Sequence, residues 1–285
     1  MTVLPDPKSL LSVAGDALVG ARVLARSGMV NPVLPRADLL RLAARAPFKA
    51  PNVGSAVLLH AALRPTAVAV IDDEGSLSWD GLRERVQRLA NALLEVAAPG
   101  DAVAFLLRNG RENIECYAAC GLAGLSAVPV NTWSSKPDVE HIVSTQKPAV
   151  VVADREFADA LDATTATVWW VGEDGEYERA LAAADNTPPA AKGGGRIVTH
   201  TSGTTGKPKG AERNAGGLRG MVSLVGFLEK VPLHRDDVFY LAPPLFHQFA
   251  QGMMIVGLIL GTTLVVRRKF DAEDFLQNAT VTNAT

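Results

Sequence analysis

Thr201-Ser-Gly-Thr-Thr-Gly-Lys-Pro-Lys-Gly210 is the stretch of this 285-residue chain whose residue types and spacing point most directly to chemistry. Gly203, Gly206 and Gly210 let the backbone turn tightly and approach a ligand. Ser202, Thr204 and Thr205 bring hydroxyl donors, and Lys207 and Lys209 set positive charge beside exposed backbone N–H groups. A loop of this kind suits phosphate oxygens. It is not a Walker A loop, because Gly203 and Gly206 stand too close together and Pro208 follows Lys207 where a hydroxyl residue is required. The dinucleotide fingerprint G-x-G-x-x-G is also missing from it. A flexible Gly/Ser/Thr connector would share the composition but would have no need of ordered hydroxyls, two lysines and a proline.

A second candidate is His247, which follows Pro243-Pro-Leu-Phe. Residues 238–241 read as a strand, so the imidazole falls at a strand's carboxyl end, where ligands of α/β sheets bind. His60, His141, His200 and His234 have no comparable setting. Cys116 and Cys120, four apart in an apolar helical pattern, share one helix face and read as buried small hydrophobes. Half of a metal site is the competing reading, but further ligands are not close in sequence, so no metal-binding residues are expected.

The elements that must position these residues alternate between strand and helix patterns, the mark of an α/β fold. After the punctuation at Pro51 to Gly54, residues 67–71 and 77–79 read as strands about an Asp-Asp-Glu-Gly turn. Ser78 or Asp80 then opens a helix that turns Leu82, Val86, Leu89 and Leu93 inward and is closed by Pro99-Gly100. Strands are expected at 102–107, 127–130, 149–153 and 168–171, with helices at 111–122 and 138–144 between them. Pro188, Pro189 and the glycines at 193–195 read as a joint. The expected division is therefore a basic helical extension over 1–50, a first α/β subdomain over 51–190, and the start of a second over 191–285.

Hydrophobic residues make up 48% of the chain and the net charge is −2, which argues against disorder and offers no case for nucleic acid as a partner. Two cysteines without a disulfide pattern point to a reducing cytoplasm, and no secretory leader is evident after Met1. The uncharged run from Gly252 to Val266 is shorter than the ~20 residues of a spanning helix and reads as a buried helix followed by a buried strand. Arg22, Arg26, Arg36, Arg41 and Arg45 make the first fifty residues basic. One helix there starts near Ser9 and stops at Gly28, and a shorter one starts at Asp38 and ends at Pro47. They form either a surface for peripheral membrane contact or a pair of helices packed on the body.

The ten-residue string resembles the phosphate-binding signature of the acyl-adenylate-forming (AMP-binding) superfamily, which includes acyl-CoA synthetases, adenylation domains and luciferases. Leu77-Ser-Trp-Asp-Gly-Leu, Pro99-Gly-Asp-Ala-Val, Arg108-Asn109, Gly124-Leu-Ser-Ala-Val-Pro-Val-Asn131 and Pro243-Pro-Leu-Phe-His247 resemble further landmarks in the family's order, over roughly residues 55–278. The likeness is greatest to fatty-acyl-CoA ligases. It implies ATP-dependent activation of a fatty acid to acyl-AMP, then capture by the thiol of coenzyme A, with Mg2+ bridging phosphate oxygens. By the same resemblance Thr201, Ser202, Gly203, Thr204, Thr205 and Gly206 would wrap the β- and γ-phosphates, with Lys207 and Lys209 beside the departing pyrophosphate. His247 and Lys209 would be the catalytic residues, and Phe246, His247, Gln251 and Gly252 would line the acyl pocket.

The implied fold is the layered α/β N-terminal domain of these enzymes, with the second subdomain incomplete and the C-terminal lid domain absent, since the landmarks stop with Thr285. Such a sheet is expected to be left open, so that the chain self-associates or pairs with a complementing C-terminal chain. The alternative is a non-catalytic remnant that at most binds nucleotide or a partner chain.

Overall fold

The structure is a computed structural model and describes residues 20–28, 52–189, 195–201, 209–213, 218–282 and 284. Within it, two sheets share one apolar core. The larger is built on β3 (Ala102–Leu106), β4 (Ser126–Pro129), β5 (Val150–Ala153) and β6 (Thr167–Trp170), all parallel, with β7 (Ile197–Thr201) and β8 (Lys209–Arg213) beyond β4. Its order is β6-β5-β3-β4-β7-β8, and only β7 and β8 run antiparallel. The strands form here because their apolar runs can be buried on both faces, as parallel sheets require. Val103 and Phe105 of β3 face one core, while Ala104 and Leu106 face the other. In β5, Val150 and Val152 face the first and Val151 and Ala153 the second.

On the first face lie α1 (Val53–Leu63), α2 (Trp79–Val96) and α3 (Arg111–Ala123), and on the second lies α4 (Lys136–Gln146). Ser78 caps α2 by accepting from the Gly81 N–H at 3.1 Å, as its sequence position predicts. Gly124 ends α3 in the left-handed region, with φ of 71°. Cys116 and Cys120 are buried thiols on α3, and burial pushes the Cys120 thiol up to about 12. They behave as core residues.

The smaller sheet has the order β2-β1-β10-β9, where β1 (Val68–Asp72) and β2 (Gly75–Ser78) form the hairpin read from sequence. β9 (Val238–Tyr240) and β10 (Thr263–Val265) join it in parallel, with Val70 opposite Leu264. This arrangement corrects the expected boundary at residue 190. The small sheet pairs strands from before the joint with strands from after it, and β7 and β8 extend the large sheet. Both sheets thus take strands from before and after residue 190. α5 (Glu176–Ala183), α6 (Leu218–Lys230), α7 (Gln248–Leu260) and α8 (Ala272–Thr282) complete the elements, with a 3-10 turn at Arg155–Leu161. α7 and β10 are the buried helix and strand expected between Gly252 and Val266.

A second correction concerns residues 52–54, which read as punctuation but start α1. Asn52 and Ser55 form a reciprocal capping box, the Ser55 N–H reaching Asn52 Oδ1 at 2.9 Å and the Asn52 N–H reaching Ser55 Oγ at 2.8 Å. Gly54 is needed inside the helix for close packing. A Cβ there would lie 2.4 Å from the Ala118 carbonyl oxygen and 2.5 Å from Leu122 Cγ of α3. Gly54→Ala is therefore expected to cost about 1–3 kcal/mol by forcing two helix backbones apart. A urea midpoint unchanged from the parent chain would refute this contact.

Of the basic N-terminal extension, residues 20–26 are helical and Gly28 stops them with φ of 77°. Val23 packs on the core and Ser27 is buried, its carbonyl accepting from the Arg235 N–H at 2.9 Å. This segment is packed on the body. The helix expected from Asp38 and the Pro/Gly joint at 190–194 lie outside the described residues, and no described helix is long and apolar enough to cross a membrane.

Candidate active site

β7 and β8 are antiparallel neighbours with Thr201 opposite Lys209, so the segment between them is the tip of a hairpin. β7 also runs parallel to β4, with Ile197 opposite Ala127, and this places the tip at the carboxyl end of the large sheet. Thr201 closes β7 and Lys209 opens β8. Ser202, Gly203, Thr204, Thr205, Gly206 and Lys207 lie outside the described residues.

His247 arrives from the small sheet. After β9 the chain makes the turn Ala242-Pro-Pro-Leu-Phe-His247, and His247 becomes the N-cap of α7 with extended backbone (φ −75°, ψ 135°). The turn is anchored from α3 and the residues before it. Asn109 donates from Nδ2 to the Pro243 carbonyl at 3.2 Å and accepts the Leu245 N–H at 2.8 Å, and the buried Tyr117 hydroxyl donates to the Leu245 carbonyl at 3.0 Å. Leu245 fills the core below them. The exposed His247 imidazole has no hydrogen-bond partner among the described residues. It rests on aromatic rings instead, with the Phe246 centroid 5.1 Å and the Trp133 centroid 6.3 Å away. It is thus held in position by ring contacts, with neither ring nitrogen bonded among the described residues.

The four residues expected to line the acyl pocket do not share one role. Phe246 and His247 stand together, and a Cβ on Gly252 would meet nothing within 4 Å, so that glycine borders open space. Gln251 is turned inward. It is 4% exposed, and its amide is engaged by Thr199 and the Phe246 carbonyl. The physical reason is its place one turn after His247, on the inner side of α7.

Trp133 was not singled out from sequence. It is 66% exposed, and its ring lies edge-on to Phe246 at 5.6 Å. A large aromatic within the polar run Asn131-Thr-Trp-Ser-Ser135, just after β4, is the signal that could have found it. Trp133, Asn109, Pro243, Arg268 and Phe270 line a cleft of about 610 Å³. Arg108 and Arg268 on its wall are bound to carboxylates, Arg108 to Glu156 at 2.9 Å and Arg268 to Asp154 and Glu156 at 2.8 and 2.7 Å. The hydrogen bond from Arg108, with help from Arg268, holds the Glu156 carboxyl below its usual range. This network joins the ends of β10 and β5 and fixes how the two sheets meet at the cleft. Among the described residues, no group of three or more Asp, Glu, His or Cys side chains could hold a metal ion.

The arrangement sets Thr201, which enters the Gly/Thr/Lys segment, at the carboxyl end of a strand of the large sheet and an exposed imidazole after β9 of the small sheet, which suits anion binding beside an orienting donor. The family of AMP-binding enzymes matches residues 59–285. A feruloyl-CoA synthase of an Amycolatopsis species is 34% identical over 225 residues, covering 77% of this chain and 45% of that protein. A long-chain-fatty-acid–CoA ligase of Mycobacterium tuberculosis is 29% identical over 233 residues, covering 78% and 46%. Among solved structures, the inhibitor-bound N-terminal domain of FACL13 from Mycobacterium tuberculosis has a TM-score of 0.72 at 26% identity and covers 82% of this chain and 61% of that one. The chain spans about half the length of the curated relatives it matches. With the family matched over most of its length and its fold shared with that N-terminal domain, the chain belongs to the AMP-binding enzyme family.

Proposed function

We propose that this chain carries the nucleotide-holding part of an acid–thiol ligase, which activates a fatty acid with ATP and passes the acyl group to coenzyme A. The observation that carries this reading is the hairpin tip between Thr201 and Lys209, set at the carboxyl end of the sheet in a chain of the AMP-binding family. In the first step a carboxylate oxygen attacks the α-phosphorus of ATP, the bond to the β-phosphate oxygen breaks, and pyrophosphate leaves. In the second the thiol sulfur attacks the acyl carbon and AMP leaves. The difficulty is the approach of one anion to another, so charge neutralisation and positioning carry the rate. Residues 201–206 would hold phosphate oxygens through N–H and hydroxyl donors, with Lys207 and Lys209 balancing the departing pyrophosphate. His247, unbonded at both ring nitrogens among the described residues, would orient the carboxylate beside Phe246. Bound Mg2+ would add charge neutralisation, but the described side chains assemble no cage for it, and the roles assigned here do not depend on it.

The test is carboxylate-dependent exchange of labelled pyrophosphate into ATP, with fatty acids of increasing length and an aromatic acid for comparison. Lys209→Ala is expected to weaken ATP binding about tenfold, or ~1.4 kcal/mol, and to lower exchange by at least as much. Exchange with the aromatic acid alone would move the substrate away from fatty acids. ATP binding by folded chain without exchange would support the second reading, in which the chain holds nucleotide and needs a complementing chain for turnover.

A further inference from the structure

The two parts of the site are joined through one buried amide. Thr199, two residues before the end of β7, donates from Oγ1 to Gln251 Oε1 at 3.3 Å, and Gln251 Nε2 donates to the Phe246 carbonyl at 2.8 Å. The orientation of this amide is dictated by its partners. The Phe246 carbonyl can only accept, so the nitrogen must face it, which leaves the oxygen for the Thr199 hydroxyl. Both side chains are buried, so losing either hydrogen bond would leave polar atoms unpaired away from water. The same turn is pinned from the α3 side by Asn109 and Tyr117, and Gln251 is its connection to the strand that enters the loop.

We propose that Gln251 is a positioning residue that couples the loop strand β7 to the turn bearing His247. A displacement of β7 on occupation of the loop is then passed through Thr199 and Gln251 to the Phe246 carbonyl, to His247, and to the Trp133 ring packed on both. Phosphate as the trigger rests on the function proposed above, whereas the mechanical link does not. Binding at the loop and the placement of His247 thereby become one event.

The link is read in this chain labelled with 5-fluorotryptophan, the Trp133 fluorine resonance being assigned by Trp133→Phe. Without ligand, Thr199→Val is expected to move that resonance, Thr199→Ser to leave it in place, and Thr199→Val to have no further effect in a Gln251→Met background. Added tripolyphosphate is expected to shift the resonance in the parent chain. In Thr199→Val the shift should fall at least threefold while affinity by calorimetry changes by less than about threefold. A resonance indifferent to Thr199→Val, or one that responds equally with Met at 251, overturns the proposal. Should Gln251→Met fail to fold, the contrast between Thr199→Val and Thr199→Ser decides it alone. Failure of the parent chain to take up tripolyphosphate would overturn the phosphate reading of the loop, and the ligand-free comparison would still judge the link.

Discussion

Arg85→Ala is expected to lower the stability of the chain by about 3–5 kcal/mol, a large share of the roughly 5–15 kcal/mol a domain possesses. Arg85 on α2 binds Glu115 of α3 at 2.6 Å and Glu178 of α5 at 2.6 Å, so one guanidinium joins three helices. The Glu115 side chain is 0% exposed, and its second oxygen accepts the buried Tyr177 hydroxyl at 2.6 Å. Burial alone would weaken the charge on Arg85, but the two carboxylates outweigh it and hold the guanidinium protonated. Alanine leaves Glu115 as a buried carboxylate with only a phenol to answer it, and that uncompensated charge is the source of the cost. Arg85→Met with Glu115→Gln removes both charges and keeps an acceptor for Tyr177, so it should recover much of the loss. Urea unfolding of the three chains checks this. A loss below about 1 kcal/mol in Arg85→Ala would show that water reaches Glu115.

The same cluster shows what was and was not legible in the sequence. β3 and β5 could be read because a strand buried on both faces is a short run of Ala, Val, Leu and Phe, with little else it could be. The hairpin tip could be read because glycines, hydroxyls and lysines in that order have few other uses. Arg85, by contrast, lies in a charged helix whose neighbours Glu84 and Arg88 do form an ordinary i, i+4 surface pair. Its own partners are 30 and 93 residues away, and helical periodicity says nothing about such distances. The inward hydrogen bonds of Gln251 are hidden for a related reason, since its partner Thr199 comes from β7, 52 residues away. The interleaving of the two sheets was hidden too. The pairing of β1 with β10 is decided by packing across the core, and a Pro/Gly joint marks a break in local structure without saying which sheet the chain enters next.

The His60→Gln variant is expected to remove an acid weakness worth about 3 kcal/mol between pH 6.5 and 4. His60 is buried on α1, its ring 4.8 Å from Trp79 and its Nε2 3.0 Å from the Ile259 carbonyl at the end of α7. The carbonyl only accepts, so Nε2 carries the proton of a neutral ring. Gly261, with φ of 87°, gives the ring room, since a Cβ there would lie 2.4 Å from it. Burial first, then the charges of Arg64 and Arg235, oppose a second proton and lower the His60 pKa to about 4. In the unfolded chain the ring takes that proton near pH 6.5, so over this interval unfolding binds a proton and acid favours it. Below about pH 4 both states are protonated and no further loss follows. Glu112 works in the opposite sense, because burial and Glu115 push its carboxyl up to about 8, and the folded chain gains on it as pH falls from that value toward 4.5. The parent's own pH profile mixes the two, whereas the difference between parent and His60→Gln isolates the histidine. Urea unfolding at pH 7, 5.5 and 4 should show the parent losing ground to the variant at each step. Parallel curves would mean that the ring is protonated in the folded chain.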